Sequence, residues 1–77
     1  MAPLTVYSRQ NCHLCEVLLE ELTSLVKGRL EIEVRDIDAR PEWHERHWSD
    51  IPVVEYEGEL VCKHFLDRDA IKGILRR

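Results

Sequence analysis

Two cysteines three positions apart, Cys12 and Cys15, stand where a short apolar run, Leu4-Thr5-Val6-Tyr7, gives way to a helical pattern. That position gives the pair its chemistry. The first turn of a helix presents unpaired backbone N–H groups and about half a positive charge, so a cysteine opening it is stabilised as the nucleophilic anion. About 2 kcal/mol of such stabilisation raises the ionised fraction near neutrality from a few per cent to about half. In the redox reading Cys12 attacks a disulfide as the thiolate and Cys15, one helical turn on, resolves the mixed disulfide, so Cys12 is expected exposed and Cys15 shielded. The alternative is a pair of buried cysteines packing as small hydrophobes.

Other residues stand near the pair in the chain. His13 follows Cys12 directly, and a positive charge on it lowers the thiol pKa further; His13, and Arg9 three residues before Cys12, are ordinary exposed side chains in the bland reading. Cys62, His13, His44 and His47 are the side chains a metal site would have to recruit. No second Cys-x-x-Cys or His pair stands at finger spacing, so no metal is expected.

The elements that hold these residues follow from periodicity. Leu14, Val17, Leu18, Leu22 and Leu25 recur at spacings of three and four, predicting an amphipathic helix over residues 11–27 with Gly28 as its stop. Leu30 to Arg35 alternates apolar and charged, the mark of a strand with one wet face at a sheet edge. Asp38 followed by Pro41 starts a short helix carrying Trp43 to His47, and Ile51-Pro52 breaks it. Residues 53–56 and 59–62 read as a hairpin turning at Glu57-Gly58. Asp67 caps a last helix, with Leu66 and Ile71 as a hydrophobic staple and Ile71, Ile74 and Leu75 as its inner face. The order β-α-β-α-β-β-α gives an α/β domain with a four-stranded mixed sheet covered by helices. Trp43, Trp48, His44 and His47 are read as structural, the aromatics packing on the sheet.

Seventy-seven residues make one domain, 1–77, with a small core. Three cysteines are too few for a disulfide scaffold, and a Cys12–Cys15 bond closes too short a loop to restrain the unfolded chain. A net charge of −4 argues against a nucleic-acid partner held by phosphate contacts. Ten acids against three bases in residues 31–59 form a solvated face in the plainer reading and a partner-docking face in the other. With no signal stretch and no apolar run beyond three residues, neither export nor a membrane span is supported, and a cytoplasmic monomer is expected.

With Cys12-His13-Leu14-Cys15 after the first strand and Ile51-Pro52 before the third, the chain resembles the glutaredoxin-like form of the thioredoxin fold over nearly its whole length. The resemblance implies a thiol–disulfide oxidoreductase that reduces protein or mixed disulfides. It implies a cis Ile51–Pro52 peptide facing the dithiol, with the Ile51 backbone pairing with an extended substrate. It assigns Arg9 to stabilising the thiolate and to a glutathione carboxylate. No bound cofactor is implied; electrons come from glutathione or from a thioredoxin-reductase-type flavoenzyme. Glutathione-binding members carry Gly-Gly after the fourth strand, where Cys62-Lys63-His64-Phe65 follows Val61 here. Side chains therefore stand where bare backbone approaches the tripeptide. Asp67 and Asp69 are left as acceptors for a ligand amine. Cys62 borders the proline loop in such a fold, either as a third redox thiol or as core packing. A non-catalytic adaptor on the same fold, and a metal or cluster carrier, are the competing functions.

Overall fold

In the computed structural model, which describes residues 2–77, the chain runs β1 (Leu4–Ser8), α1 (His13–Val26), β2 (Ile32–Asp36), a 3-10 turn (Ile37–Ala39), α2 (Pro41–His47), β3 (Val53–Tyr56), β4 (Glu59–Lys63) and α3 (Arg68–Leu75). The strands form one sheet in the order β2-β1-β3-β4, with β1 parallel to β2 and both β1–β3 and β3–β4 antiparallel. The predicted element order and mixed sheet are those observed, with β2 at an edge.

Alternation along the central strands sorts side chains to two faces. Leu4, Val6, Val54 and Tyr56 join Leu18, Leu22 and Val26 of α1 and Ile71 and Ile74 of α3 in the main core. On the opposite face Tyr7 and Val53 pack with Ile37, Trp43 and Ile51. Both faces of β1 are covered, which is why it reads as a nearly continuous apolar run.

Local chemistry ends the elements. Lys27, at φ 49, caps the C-terminus of α1 with its N–H donated to the Thr23 carbonyl, and Gly28 follows at φ 77; the stop predicted at Gly28 falls one residue earlier. Asp67 caps α3 by accepting the Ala70 N–H at 3.1 Å, and both Leu66 and Ile71 of the staple join the main core. Pro41 opens α2 as predicted, but the cap is Arg40, which makes no side-chain bond, and not Asp38. The turn between β3 and β4 holds Glu57 at φ 52 and Gly58 at φ 81, the two positive angles of a type I′ hairpin. Val61 is skipped in the β3–β4 register, where Val54 faces Cys62 and Glu55 faces Leu60, a bulge the sequence pattern did not show.

The helical face of α1 differs from the prediction. Leu18 and Leu22 are buried as expected, while Leu14 and Val17 lie 42% and 38% exposed. Cys15, Leu18, Leu22 and Val26 are the residues α1 sends inward. Trp48 does not pack on the sheet either; it follows the last turn of α2 and stands out into solvent.

Candidate functional site

Strand pairing gathers four segments at one end of the sheet. Tyr7 pairs with Val53, Val53 with Lys63, and Ser8 with Asp36. The segment leaving β1 (residues 9–12), the 3-10 turn, Ile51-Pro52 and the segment leaving β4 (residues 64–66) therefore share that end. Cys12 enters from β1 through Asn11, which takes the left-handed φ of 60 that asparagine tolerates better than most residues.

Cys12 is the N-cap of α1. Its backbone is extended, its carbonyl accepts the Glu16 N–H at 3.1 Å, and its Sγ accepts the Cys15 N–H at 3.2 Å. One of the orphan donors of the helix end thus points at sulfur. Cys12 and Cys15 are disulfide-bonded, with Cα atoms 5.2 Å apart. Cys12 is half-buried and Cys15 only 2% exposed. The asymmetry has the predicted direction, although Cys12 is less open than expected. Burial of Cys15 follows from its place on the inner face of α1, one turn before Leu18 and two before Leu22.

Arg9 is exposed and held in an ion pair, its Nε 2.9 Å from Asp38 Oδ2. Asp38, read from the sequence as a helix start, instead sits in the 3-10 turn, its N–H donated to the Asp36 carboxylate. His13 is exposed on the first turn of α1 beside Glu16. Ile51 is half-buried against the α2 side of the sheet and donates its N–H to the His47 carbonyl at 3.2 Å. The Ile51–Pro52 peptide is cis, Pro52 is buried, and its carbonyl accepts the His64 N–H at 2.8 Å.

After β4, His64 takes a left-handed φ of 68, and the Phe65 N–H closes back on the Lys63 carbonyl at 2.8 Å. This is a γ-turn of the rarer, positive-φ kind. It carries Phe65 into solvent, 71% exposed. Leu14, Val17, Leu18, Glu21, His64, Phe65 and Leu66 line a groove of about 270 Å³ between α1 and this turn. The sequence held a signal for it: α1 carries more apolar residues than one buried stripe needs, and the surplus, Leu14 and Val17, faces the groove.

Cys62 packs half-buried against the main core, and burial pushes its thiol pKa up. That favours the packing reading over a third redox thiol. On the opposite face Arg35 donates to the Tyr7 hydroxyl at 3.0 Å and lies over the Tyr7 and Trp43 rings. His47, 7% exposed, packs on the Tyr7 ring with centroids 4.1 Å apart, and its Nε2 has no hydrogen-bond partner among the described residues. Burial, with the charge of Arg46 beside it, lowers its pKa. Neither cluster was foreseen. Among the described residues no three His, Cys, Asp or Glu side chains converge as metal ligands, and no helix is long and apolar enough to cross a membrane.

Comparison with known proteins places this geometry. The sequence profile of the glutaredoxin-like domain (DUF836) matches residues 3–76. A protein of Nitrosomonas europaea solved by NMR is 34% identical, with 95% of this chain and 89% of that one covered and a TM-score of 0.81. A Xanthomonas protein (X. campestris) solved by X-ray diffraction is 22% identical over 95% of each chain, at a TM-score of 0.74. Thioredoxin 1 of Thermosipho africanus, 15% identical, covers 96% of this chain and 94% of its own at a TM-score of 0.65, which is a likeness of fold. No curated protein matches the sequence. With a thioredoxin-like sheet, a Cys-x-x-Cys pair at the entrance of α1 and the family profile spanning nearly every residue, the chain belongs to the glutaredoxin-like domain family.

Proposed function

We propose that this protein is a thiol–disulfide oxidoreductase that reduces protein or mixed disulfides through Cys12 and Cys15. The observation that carries the reading is the Cys12 sulfur, placed at a helix entrance with the Cys15 N–H donated to it and covalently joined to a shielded Cys15. In the reduced protein the Cys12 thiolate attacks one sulfur of a substrate disulfide. A Cys12–substrate bond forms and the other substrate sulfur leaves as a thiolate, taking up a proton from water. Cys15, deprotonated, then attacks the Cys12 sulfur, the Cys12–Cys15 bond forms, and the second substrate thiol leaves. Two electrons and two protons pass to the substrate, and the protein ends in the disulfide form described above.

A two-electron donor must return the pair to the dithiol: two glutathione molecules, themselves oxidised to the disulfide, or a thioredoxin-reductase-type flavoenzyme. Either donor suits a cytoplasmic monomer, since both keep thiols reduced there. Of the expected substrate contacts, the Ile51 N–H is engaged by His47, so the Ile51 carbonyl is the group left to meet a substrate backbone. His13 stands exposed next to Cys12 on the first turn of α1, and Arg9, three residues before Cys12, is free to meet a substrate anion only in competition with Asp38.

The test is turnover of hydroxyethyl disulfide by the whole protein, with NADPH consumption coupled either through glutathione and glutathione reductase or through thioredoxin reductase. Turnover in one arm, abolished by Cys12→Ser, is the expected result. A rate equal to background in both arms, or one that survives Cys12→Ser, overturns the assignment and leaves the fold as a binding module.

A further inference from the structure

We propose that the groove between α1 and the His64 turn selects the substrate: it receives an apolar side chain next to the reacting cysteine of a protein disulfide, and glutathione is a poor occupant. The inference rests on the oxidoreductase reading and names the substrate class of that same site.

Continuity with the dithiol is the first argument. Leu14 lies between the two cysteines in the chain, and Val17 and Glu21 continue the same helical face one turn at a time. The far wall, His64-Phe65-Leu66, leaves β4 at the sheet end that also carries Pro52, and is tied to it by the His64 N–H on the Pro52 carbonyl. The groove thus begins beside the Cys12–Cys15 segment, within reach of a residue neighbouring a cysteine bound at Cys12.

The lining itself is the second argument. Leu14, Val17 and Phe65 are large apolar side chains left open to water on one small surface. Phe65 is held there by a backbone conformation that histidine adopts only under strain. At about 270 Å³ the groove falls below the range of about 300–1,000 Å³ that takes a whole drug-sized ligand, and suits one or two side chains.

Charge makes the third. Glutathione carries two carboxylates and an ammonium, so a site for it needs free cations. Arg9 is paired with Asp38 at 2.9 Å, Lys63 with Asp50 at 3.7 Å, and Arg68 with Glu21 at 2.6 Å. Each carboxylate of a ligand must displace one of the protein's own. An uncharged apolar residue meets no such competition.

The experiment uses the reduced full-length protein and three disulfides, read as loss of the Cys12 and Cys15 thiols in single turnover. They are the symmetrical dimers of acetyl-Leu-Cys-Phe-amide and acetyl-Ser-Cys-Gly-amide, and oxidised glutathione. Burying one large apolar side chain is expected to favour the first over the other two by about tenfold or more. Phe65→Ser should bring the ratio close to one, and Phe65→Leu should keep most of it; because Phe65 is so exposed, both variants should fold, as circular dichroism will show. Equal rates for the two peptides, a preference untouched by Phe65→Ser, or fastest reaction with glutathione disulfide overturns the groove assignment while leaving the oxidoreductase intact. Reaction with none of the three, together with no turnover of hydroxyethyl disulfide, overturns both.

Discussion

The reactivity of Cys12 can be tested against a control inside the same chain, because Cys62 is a free thiol of similar exposure in an opposite electrostatic setting. Two features favour the Cys12 thiolate. A hydrogen bond to a charged acceptor is worth about 1.5–3 kcal/mol, and the end of a helix adds about 0.3–1 kcal/mol. With the Cys15 N–H at 3.2 Å as the one donor and sulfur a weaker acceptor than oxygen, we take the lower end, about 2 kcal/mol in all. That multiplies the ionisation constant of Cys12 by about thirty over an unperturbed thiol. A more acidic thiol is also a weaker nucleophile, which returns a factor of about five, so at pH 6 a net gain of about sixfold remains. Burial pushes Cys62 the other way and widens the gap. The assay is limited alkylation of the reduced protein with iodoacetamide at pH 6, with the three cysteine peptides quantified by mass spectrometry. Cys12 should be modified first by at least sixfold over Cys62, with Cys15 the slowest because it is buried. Modification of Cys62 as fast as Cys12, or a Cys12 rate profile centred at or above the ordinary thiol value of about 8.5, would refute the helix-entrance argument.

Replacing Cys15 with serine should stall the reaction at its first step: a Cys12–substrate mixed disulfide accumulates in intact-protein mass spectra, and its absence would count against Cys15 as the resolving thiol. His47 ties stability to pH. Its pKa is lowered in the folded state, while the unfolded chain takes up a proton near pH 6.5, so stability is full above that value and is lost as pH falls below it. The urea midpoint should therefore drop between pH 7.5 and 5.5 in the natural protein and change less in His47→Phe; equal slopes would remove His47 as the cause. Leu22→Ala empties a fully buried site and should cost about 2–5 kcal/mol, a large share of the roughly 4–12 kcal/mol available to a chain of this length. A thermal midpoint within a degree or two of the natural protein would show that the α1 core relaxes around the loss.

What could be read from the residues alone is what depends on a few neighbours in the chain. The order of elements, the Asp67 cap with its Leu66–Ile71 staple, the Glu57-Gly58 turn and the placement of Cys12 at a helix entrance each follow from contacts within one or two turns. Periodicity and capping are short-range, so their signals survive without knowledge of the fold. The same reasoning misplaced Leu14 and Val17, because an apolar stripe says which residues could be buried and not how much of it a neighbour covers.

The tertiary structure decided everything that needed a distant partner. Arg9 meets Asp38 across 29 residues, and Arg35 meets Tyr7 across 28. Phe65 is exposed because the His64 turn is pinned to Pro52, and His47 is buried because α2 closes onto Tyr7. Solvent access and ion pairing depend on which surfaces the sheet order brings together, and strand pairing is a long-range choice that no local pattern encodes. The Cys12–Cys15 pair at a helix entrance was therefore legible in the sequence, whereas the groove beside it exists only once β1, β3 and β4 are aligned at one end of the sheet.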